Sequence, residues 1–212
     1  MDHRFFDFDA TDPVERYRLM ANSVTPRPVA FVTSAFSSWS GCRAYREDIA
    51  KAREAIGDGA PEVIVVESSL TEGARLAIYT ADGRHVTTAY IGQPHRWLAP
   101  VGVADLNSDG SPELAYVDRP HLRWTLRIWQ FRKGALHEIA TLDGVTNHRI
   151  GDPEIGGGIR PCTGTPEMIL ASADWRRVLA IRLVGNRLMQ KDIGSYIGRE
   201  SLAAALMCRH QG

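Results

Sequence analysis

Residues 105 to 113 read DLNSDGSPE, placing oxygen-bearing side chains at Asp105, Asn107, Asp109, Ser111 and Glu113, every second position of the stretch. A hard cation such as calcium takes about six to eight oxygen ligands, and alternate residues of a tight loop can turn their oxygens toward one centre. On that chemistry Asp105, Asn107, Asp109 and Glu113 supply carboxylate or amide oxygens, the backbone carbonyl of Ser111 supplies a fifth ligand, and water completes the shell. Gly110 permits the sharp backbone turn. The same residue types also close ordinary polar turns through side-chain bonds to their own backbone. The stretch is therefore either a calcium loop or a polar turn, and in both cases it must join two strands.

The strands come from an internal repeat. The segments GDGAPEVIVVES (57 to 68), SDGSPELAYVDR (108 to 119) and CTGTPEMILASA (162 to 173) each carry a small turn residue, Pro-Glu and a short β-prone run, with prolines at Pro61, Pro112 and Pro166. Each is followed by a hairpin pattern, with turn pairs at Asp82-Gly83, Lys133-Gly134 and Gly185-Asn186 that supply the positive φ of tight hairpins. With the APVGVAD run ahead of the loop, one period holds about four short strands, the content of a propeller blade. A lone antiparallel blade has two faces to cover, so neighbouring repeats must stack. The expected fold is mainly β: a partial or small propeller-like stack of about three four-stranded blades over residues 51–212. A short strand-helix extension precedes it and a C-terminal helix is a further element. Three blades are fewer than the roughly four to eight that close a ring, so the stack is open, completed by divergent flanks, or truncated.

The stretch VGVADLNSDGSPELAYV resembles an FG-GAP or VCBS repeat, the blade of integrin-α-like β-propellers, and the resemblance runs over residues 54–208. It implies a calcium loop between the first two strands of a blade, with ligand roles for Asp105, Asn107, Asp109 and Glu113. Asn107 stands where the family carries a middle Asp, and Glu113 where it carries a final Asp; both keep oxygen ligation. Taken at a fixed offset, the sister loops have decayed to Glu54, Ile56, Asp58 and Glu62 in the first repeat and to Ile159, Pro161, Thr163 and Glu167 in the third. At most one good site is expected. The stretches IGQPHRWLAPVG, YVDRPHL, TNHRIGD and ASADWRR also resemble exported bacterial VCBS-repeat proteins.

The first fifty residues fit no repeat phase. DPVERYRLMANSVTPRPVAFVTS, residues 12 to 34, resembles the start of a flavin reductase-like FMN-binding domain. AFSSWSGCRAYREDIAKAREAIG follows in place of that family's phosphate-holding segment, so FMN is not an expected cofactor. Residues 1–50 read as a fused remnant of a chimeric protein, with Ile49, Ala52 and Ile56 at helical spacing in a helix over Tyr45 to Ile56. Strand and helix would cover an exposed blade edge.

His95-Arg96 and His148-Arg149 recur at similar distances after their anchoring prolines. They are candidates for holding an anion or a carboxylate partner; repeated polar residues also hydrogen-bond loops at blade junctions. Asp118 with Arg119 and Asp174 with Arg176 read the same two ways. The glycine run Gly156 to Gly158 lacks a dinucleotide-fold context, and no GxxxxGK[ST], HExxH or GxSxG occurs. Trp97, Trp124, Trp129 and Trp175 are expected in blade core or blade junctions.

Lysine plus arginine balances aspartate plus glutamate at 25 each, which gives no net attraction for nucleic acid. No run is long and apolar enough for a membrane span. The N-terminal MDHRFFDFDA carries acids where a secretory signal needs a basic start. A cytoplasmic location is the default, against the export usual among similar VCBS-repeat proteins. Cys42, Cys162 and Cys208 show no zinc spacing. They are either buried thiols or, in an oxidising compartment, a Cys162–Cys208 bridge with Cys42 single. The expected function is a non-enzymatic, calcium-stabilised module that binds a protein or carbohydrate partner; the alternative is a truncated flavin reductase-like FMN-binding protein.

Overall fold

The computed structural model describes residues 32–33, 55–56, 62–80, 85–152, 154–162 and 164–208. These fall into two compact units, one ending at Trp97 and the other running from Leu98 onward with Ala55 and Ile56.

In the first unit, β1 (Val32–Thr33) lies parallel to β2 (Val63–Ser69), which pairs antiparallel with β3 (Gly73–Tyr79) and through it with β4 (His85–Thr87). The strand expected in the N-terminal extension is thus present at Val32–Thr33. Of the helix expected over Tyr45 to Ile56, only Ala55 and Ile56 are described, and both are non-helical. The rest of that helix, the Asp82-Gly83 turn and Cys42 lie outside the described residues.

The second unit holds two antiparallel sheets. The first runs in order β5 (Leu98–Ala104), β6 (Glu113–Asp118), β7 (Thr125–Arg132) and β8 (Ala135–Asp143). Every residue of β6 is buried, as expected of an inner strand covered on both faces. The hairpin between β7 and β8 turns on Lys133 (φ 50°) and Gly134 (φ 83°), the positive φ pair that its sequence predicts.

The second sheet repeats this plan with β11 (Glu167–Ser172), β12 (Arg177–Val184) and β13 (Arg187–Ser195). Its first strand is broken. β9 (Val145–Thr146) and β10 (Gly158–Arg160) pair with the same edge of β11, and residues 147–157 leave the sheet between them. In the preceding sheet the matching place, between Pro100 and Gly102, holds a one-residue bulge at Val101. The third repeat thus carries an excursion where the preceding repeat carries a bulge, with strand register kept on both sides. Asn147 starts the excursion buried, its Nδ2 donating to the carbonyl of Pro100 at 3.0 Å, and Gly156 N–H donates to Asn147 O at 2.7 Å.

Paired residues on antiparallel strands point to one face, so the registers fix which side of each sheet meets what. Gly102, Ala115 and Glu113 share a face of the first of these sheets; Ile159, Met168 and Ile181 share a face of the second. Gly102 sits against Ile159, where an added Cβ would lie 2.7 Å from its Cδ1. On its other face the second sheet presents Ile169, Val178 and Ala180 to helix α1 (Arg199–Leu206), which buries Leu202 and Ala205 there.

The chain re-enters the sheet at Gly157, with φ 73° and space for no side chain: a Cβ would approach the Ile169 carbonyl oxygen to 2.2 Å. Gly157→Ala is expected to destabilise the protein by about 2 to 4 kcal/mol through strain and backbone displacement. Gly151→Ala, with φ 93° and nothing within 4 Å, should cost about 1 to 2 kcal/mol. Urea-denaturation midpoints compare the two.

Candidate functional site

The 105–113 loop joins β5 to β6, as its sequence requires. Leu106 is fully buried and anchors it, while Ser108 and Gly110 adopt positive φ. Asp105 accepts the backbone N–H groups of Asp109 and Gly110, each at 3.0 Å, and Asn107 Oδ1 accepts the Asp109 N–H at 2.9 Å. Asp109 accepts the Ser111 N–H at 2.8 Å and the Asn107 amide at 3.0 Å. These bonds hold the Asp109 carboxyl below the ordinary range, the Ser111 N–H contributing most and Asn107 next.

Glu113 completes the loop from below. It is 0% exposed, accepting the Leu106 N–H and the Gln130 amide, each at 2.7 Å. Burial pushes its carboxyl up to about 7; the Leu106 N–H opposes that, and the charges of Asp109 and Asp105 add to it. Gln130 Nε2 also lies 3.3 Å from Asp109 Oδ2, so one amide links both carboxylates, while Arg132 donates to the Gln130 oxygen. No lysine or arginine among the described residues forms an ion pair with Asp105, Asp109 or Glu113. Nor do three or more His, Cys, Asp or Glu side chains gather as a preformed metal cluster among those residues. An oxygen set for calcium must include Asn107 and the Ser111 carbonyl as well as the carboxylates, and its donor chemistry, all hard oxygens with uncompensated negative charge, suits that ion.

The third repeat balances the same position differently. Glu167, the counterpart of Glu113, bonds Arg160 (Nη2 to Oε2, 2.8 Å) and Arg182 (Nε to Oε1, 2.8 Å). Burial opposes its ionisation, but the two guanidinium groups outweigh burial and hold its carboxyl low. By register Arg182 occupies the place of Gln130, and Arg160 that of Ala104. The connecting loop, 161–166, is two residues shorter than 105–112. Ile159 consequently lies opposite Met168 as Val103 lies opposite Leu114, and the fixed offset that set Ile159 against Asp105 does not hold. In the first repeat Glu62 is buried and Ile56 half-buried, whereas Glu54 and Asp58 lie outside the described residues, as does Thr163 of the third.

The opposite end of this unit gathers the loops 119–124, 173–176 and 196–198 and the excursion residues 147–152. His148 is buried on the excursion, its Nδ1 2.8 Å from His121 Nε2 and its Nε2 3.2 Å from the Asp152 carbonyl. Burial, with the neighbouring His121, pushes His148 down to about 4; burial also lowers His121. Arg149 projects outward, its guanidinium 4.6 Å from the centre of the Trp175 ring and 5.5 Å from that of Tyr196, with the two rings edge to face. Trp124 and Trp175 both hold positive φ, 54° and 58°, a conformation that costs energy for a bulky residue and clusters at functional sites. Trp124 is 38% exposed and Trp175 half-buried, so neither fills a core. Leu122, Ile150 and Ile197 are exposed at the same end.

Of the recurrent pairs, His148 thus meets His121 and Arg149 meets an aromatic pair. His95 and Arg96 belong to the first unit, where His95 is exposed and Arg96 donates to its carbonyl at 3.3 Å. Asp118 binds Arg119 at 2.8 Å and Arg127 at 3.0 Å, and Asp174 stands 3.7 Å from Arg176; these are structural pairs at strand ends. No sequence motif marks Gln130, Arg160, Arg182, His121 or Tyr196 as a site residue. Only the strand register, which puts Gln130 across from Glu113, could have exposed the first three.

Residues 56–116 match the model of the FG-GAP-like repeat, a span that contains the 105–113 loop. Among curated proteins, coproporphyrin III ferrochelatase of Mycobacteroides abscessus is 43% identical over 53 residues, 25% of this chain and 16% of that protein. Ferrochelatase of Rhodopirellula baltica is 36% identical over 97 residues, 42% of this chain and 27% of that protein. Coproporphyrin III ferrochelatase of Mycobacterium marinum is 47% identical over 49 residues, 23% and 14%. The chain spans less than a third of the length of these relatives. No solved structure matches it. The flavin reductase-like reading of residues 12–34 gains no support from these comparisons, and all of that stretch but Val32–Thr33 lies outside the described residues. No helix among the described residues is long and apolar enough to cross a membrane.

Two groups give opposite pH dependences of stability. Glu113 has a folded pKa raised from 4.5 to about 7, so its contribution is full below 4.5 and is lost as pH rises through 7. His148 has a folded pKa lowered from 6.5 to about 4, so its contribution is full above 6.5 and is lost as pH falls through 4. In chelator, Glu113→Gln should make stability rise more steeply with pH between 4.5 and 6.5 than in the parent, and His148→Asn should shift the slope the other way. Urea midpoints across that window measure both.

Proposed function

We propose that the chain is a non-enzymatic repeat module, stabilised by one calcium ion in the 105–113 loop, that binds a protein or carbohydrate partner. The observation that carries the calcium reading is the contrast between equivalent carboxylates. Glu167 has two arginines, whereas Glu113, with Asp105 and Asp109 near it, has only amide donors. Leaving such a carboxylate buried is costly, and a bound cation would reverse the effect by favouring its ionised form. Asp105, Asn107, Asp109 and Glu113 would hold the ion by side-chain oxygens, Ser111 by its carbonyl. Calcium here shapes the β5–β6 turn.

Partner binding is assigned to the other end of the unit. Arg, Trp and Tyr are the side chains that dominate binding energy in interfaces, and Arg149, Trp175 and Tyr196 stand together there beside exposed Ile150 and Ile197. The FG-GAP-like match supports a repeat module. The ferrochelatase likeness is one of short segments, and the activity in those names is not carried to this chain.

Thermal unfolding with calcium titrated from chelator to 10 mM tests the calcium reading. With a dissociation constant on the order of 1 mM, 10 mM calcium stabilises the parent by about 1.4 kcal/mol, a rise in Tm of about 3 to 5 °C. The double variant Asp105→Ala, Asp109→Ala should show no rise. An equal response in the two proteins, or none in a cooperatively folding parent, refutes the reading. Trp175→Ala should abolish retention of a partner while keeping the calcium response.

A further inference from the structure

The outer face of the third repeat's sheet carries the residues by which the preceding sheet receives its neighbour. In the preceding sheet Gly102 accepts a branched aliphatic side chain, Ile159, from the next repeat. At the same register point Gly158 faces Leu206 of α1, where an added Cβ would lie 3.5 Å from its Cδ2. Ile169, Val178 and Ala180 line the rest of that face, and Leu202 and Ala205 cover them. Helix α1 therefore stands where a following repeat would stack, as terminal caps do in repeat proteins.

The helix has little stability of its own. It is eight residues long, its N-cap is Gly198 with no side-chain capping bond, and its last turn carries no basic residue. Isolated helices of that length do not persist in water. The sheet supplies what the helix lacks: Arg160 Nη1 donates to the Ala205 carbonyl at 2.6 Å, a cation at the negative end of the helix. Arg199, the first residue of α1, also pairs with Glu154, and a further fastening is covalent. Cys162, in the shortened loop after β10, bridges Cys208, one residue beyond the C-cap Met207 of α1. At its other end α1 is joined to β13 through residues 196–198, where Tyr196 N–H donates to the Arg176 carbonyl at 2.8 Å.

We infer that α1 is a removable cap on this stacking face, latched by Cys162–Cys208 and released by thiols. Two equivalents of a low-molecular-weight thiol reduce the bridge: the Cys162–Cys208 bond breaks, two protons pass to the cysteine sulfurs, and the reductant leaves as its own disulfide. With one end free, the helix opens at a lower free-energy cost and uncovers Ile169, Val178 and Ala180. This device does not depend on calcium or on the partner-binding face.

Hydrogen exchange read by mass spectrometry on the full chain tests it. Reduction should accelerate exchange in peptides covering 199–206 by about tenfold or more while those covering 167–184 change by less than about threefold. The Cys162→Ser, Cys208→Ser protein should exchange fast in 199–206 with or without thiol. Equal protection of α1 before and after reduction overturns the proposal. So does joint loss of protection in helix and sheet, which would make the bridge a requirement of the fold rather than a latch.

Discussion

A sheet whose inner strands are apolar on both faces needs a cover on each side, and most of the second unit follows from that constraint. Strands β6 and β11 have almost no exposed residue, so leaving either face uncovered costs free energy. The first takes the second as its neighbour through Gly102 and Ile159. The second, with no further sheet in the described residues, takes an eight-residue helix. The cover could be so small because the receiving residues are small: Gly158 and Ala180 let Leu206, Leu202 and Ala205 come close to the backbone.

The same packing creates an electrostatic problem that each repeat meets in its own way. The glutamate that opens the second strand is driven into the interior by the Pro-Glu pattern, at Glu62, Glu113 and Glu167. A buried carboxylate must be paired, hydrogen-bonded or protonated. Glu167 is paired, by Arg160 from its own edge strand and Arg182 from across the sheet. Glu113 is hydrogen-bonded but not paired, and its pKa of about 7 expresses the deficit. Replacing Gln130 by Arg182 and Ala104 by Arg160 goes together with a loop two residues shorter. In the proposed reading, a calcium ion beside Glu113 would supply the positive charge that two arginines supply beside Glu167.

Much of the scaffold was legible in sequence because its signals are local. Pro-Glu followed by a β-prone run, the Lys133-Gly134 turn and the alternate oxygens of 105–113 each report their own backbone. The Cys162–Cys208 bridge was one of two open readings and is present. The excursion at 147–157 was not legible, because TNHRIGDPEIGGGIR looks like a plain connection until β9 and β10 are seen on the same edge of β11. The Gln130–Arg182 exchange was hidden for a related reason. Each faces a glutamate 15 or 17 residues away in sequence, and that relation exists only through register. The His-Arg recurrence marks Arg149 in the sequence, but its aromatic partners Trp175 and Tyr196 come from two later loops.

The central claim is that the buried carboxyl of Glu113 ionises when a bound cation balances its charge. Calorimetric titration of the protein with calcium in buffers of different ionisation enthalpy counts the protons released on binding. A carboxyl with a pKa of about 7 that becomes a ligand must give up its proton, so release should be ~1 proton per calcium at pH 6 and ~0 at pH 8.5. Binding with no proton release at pH 6, or no binding at either pH, would contradict the claim.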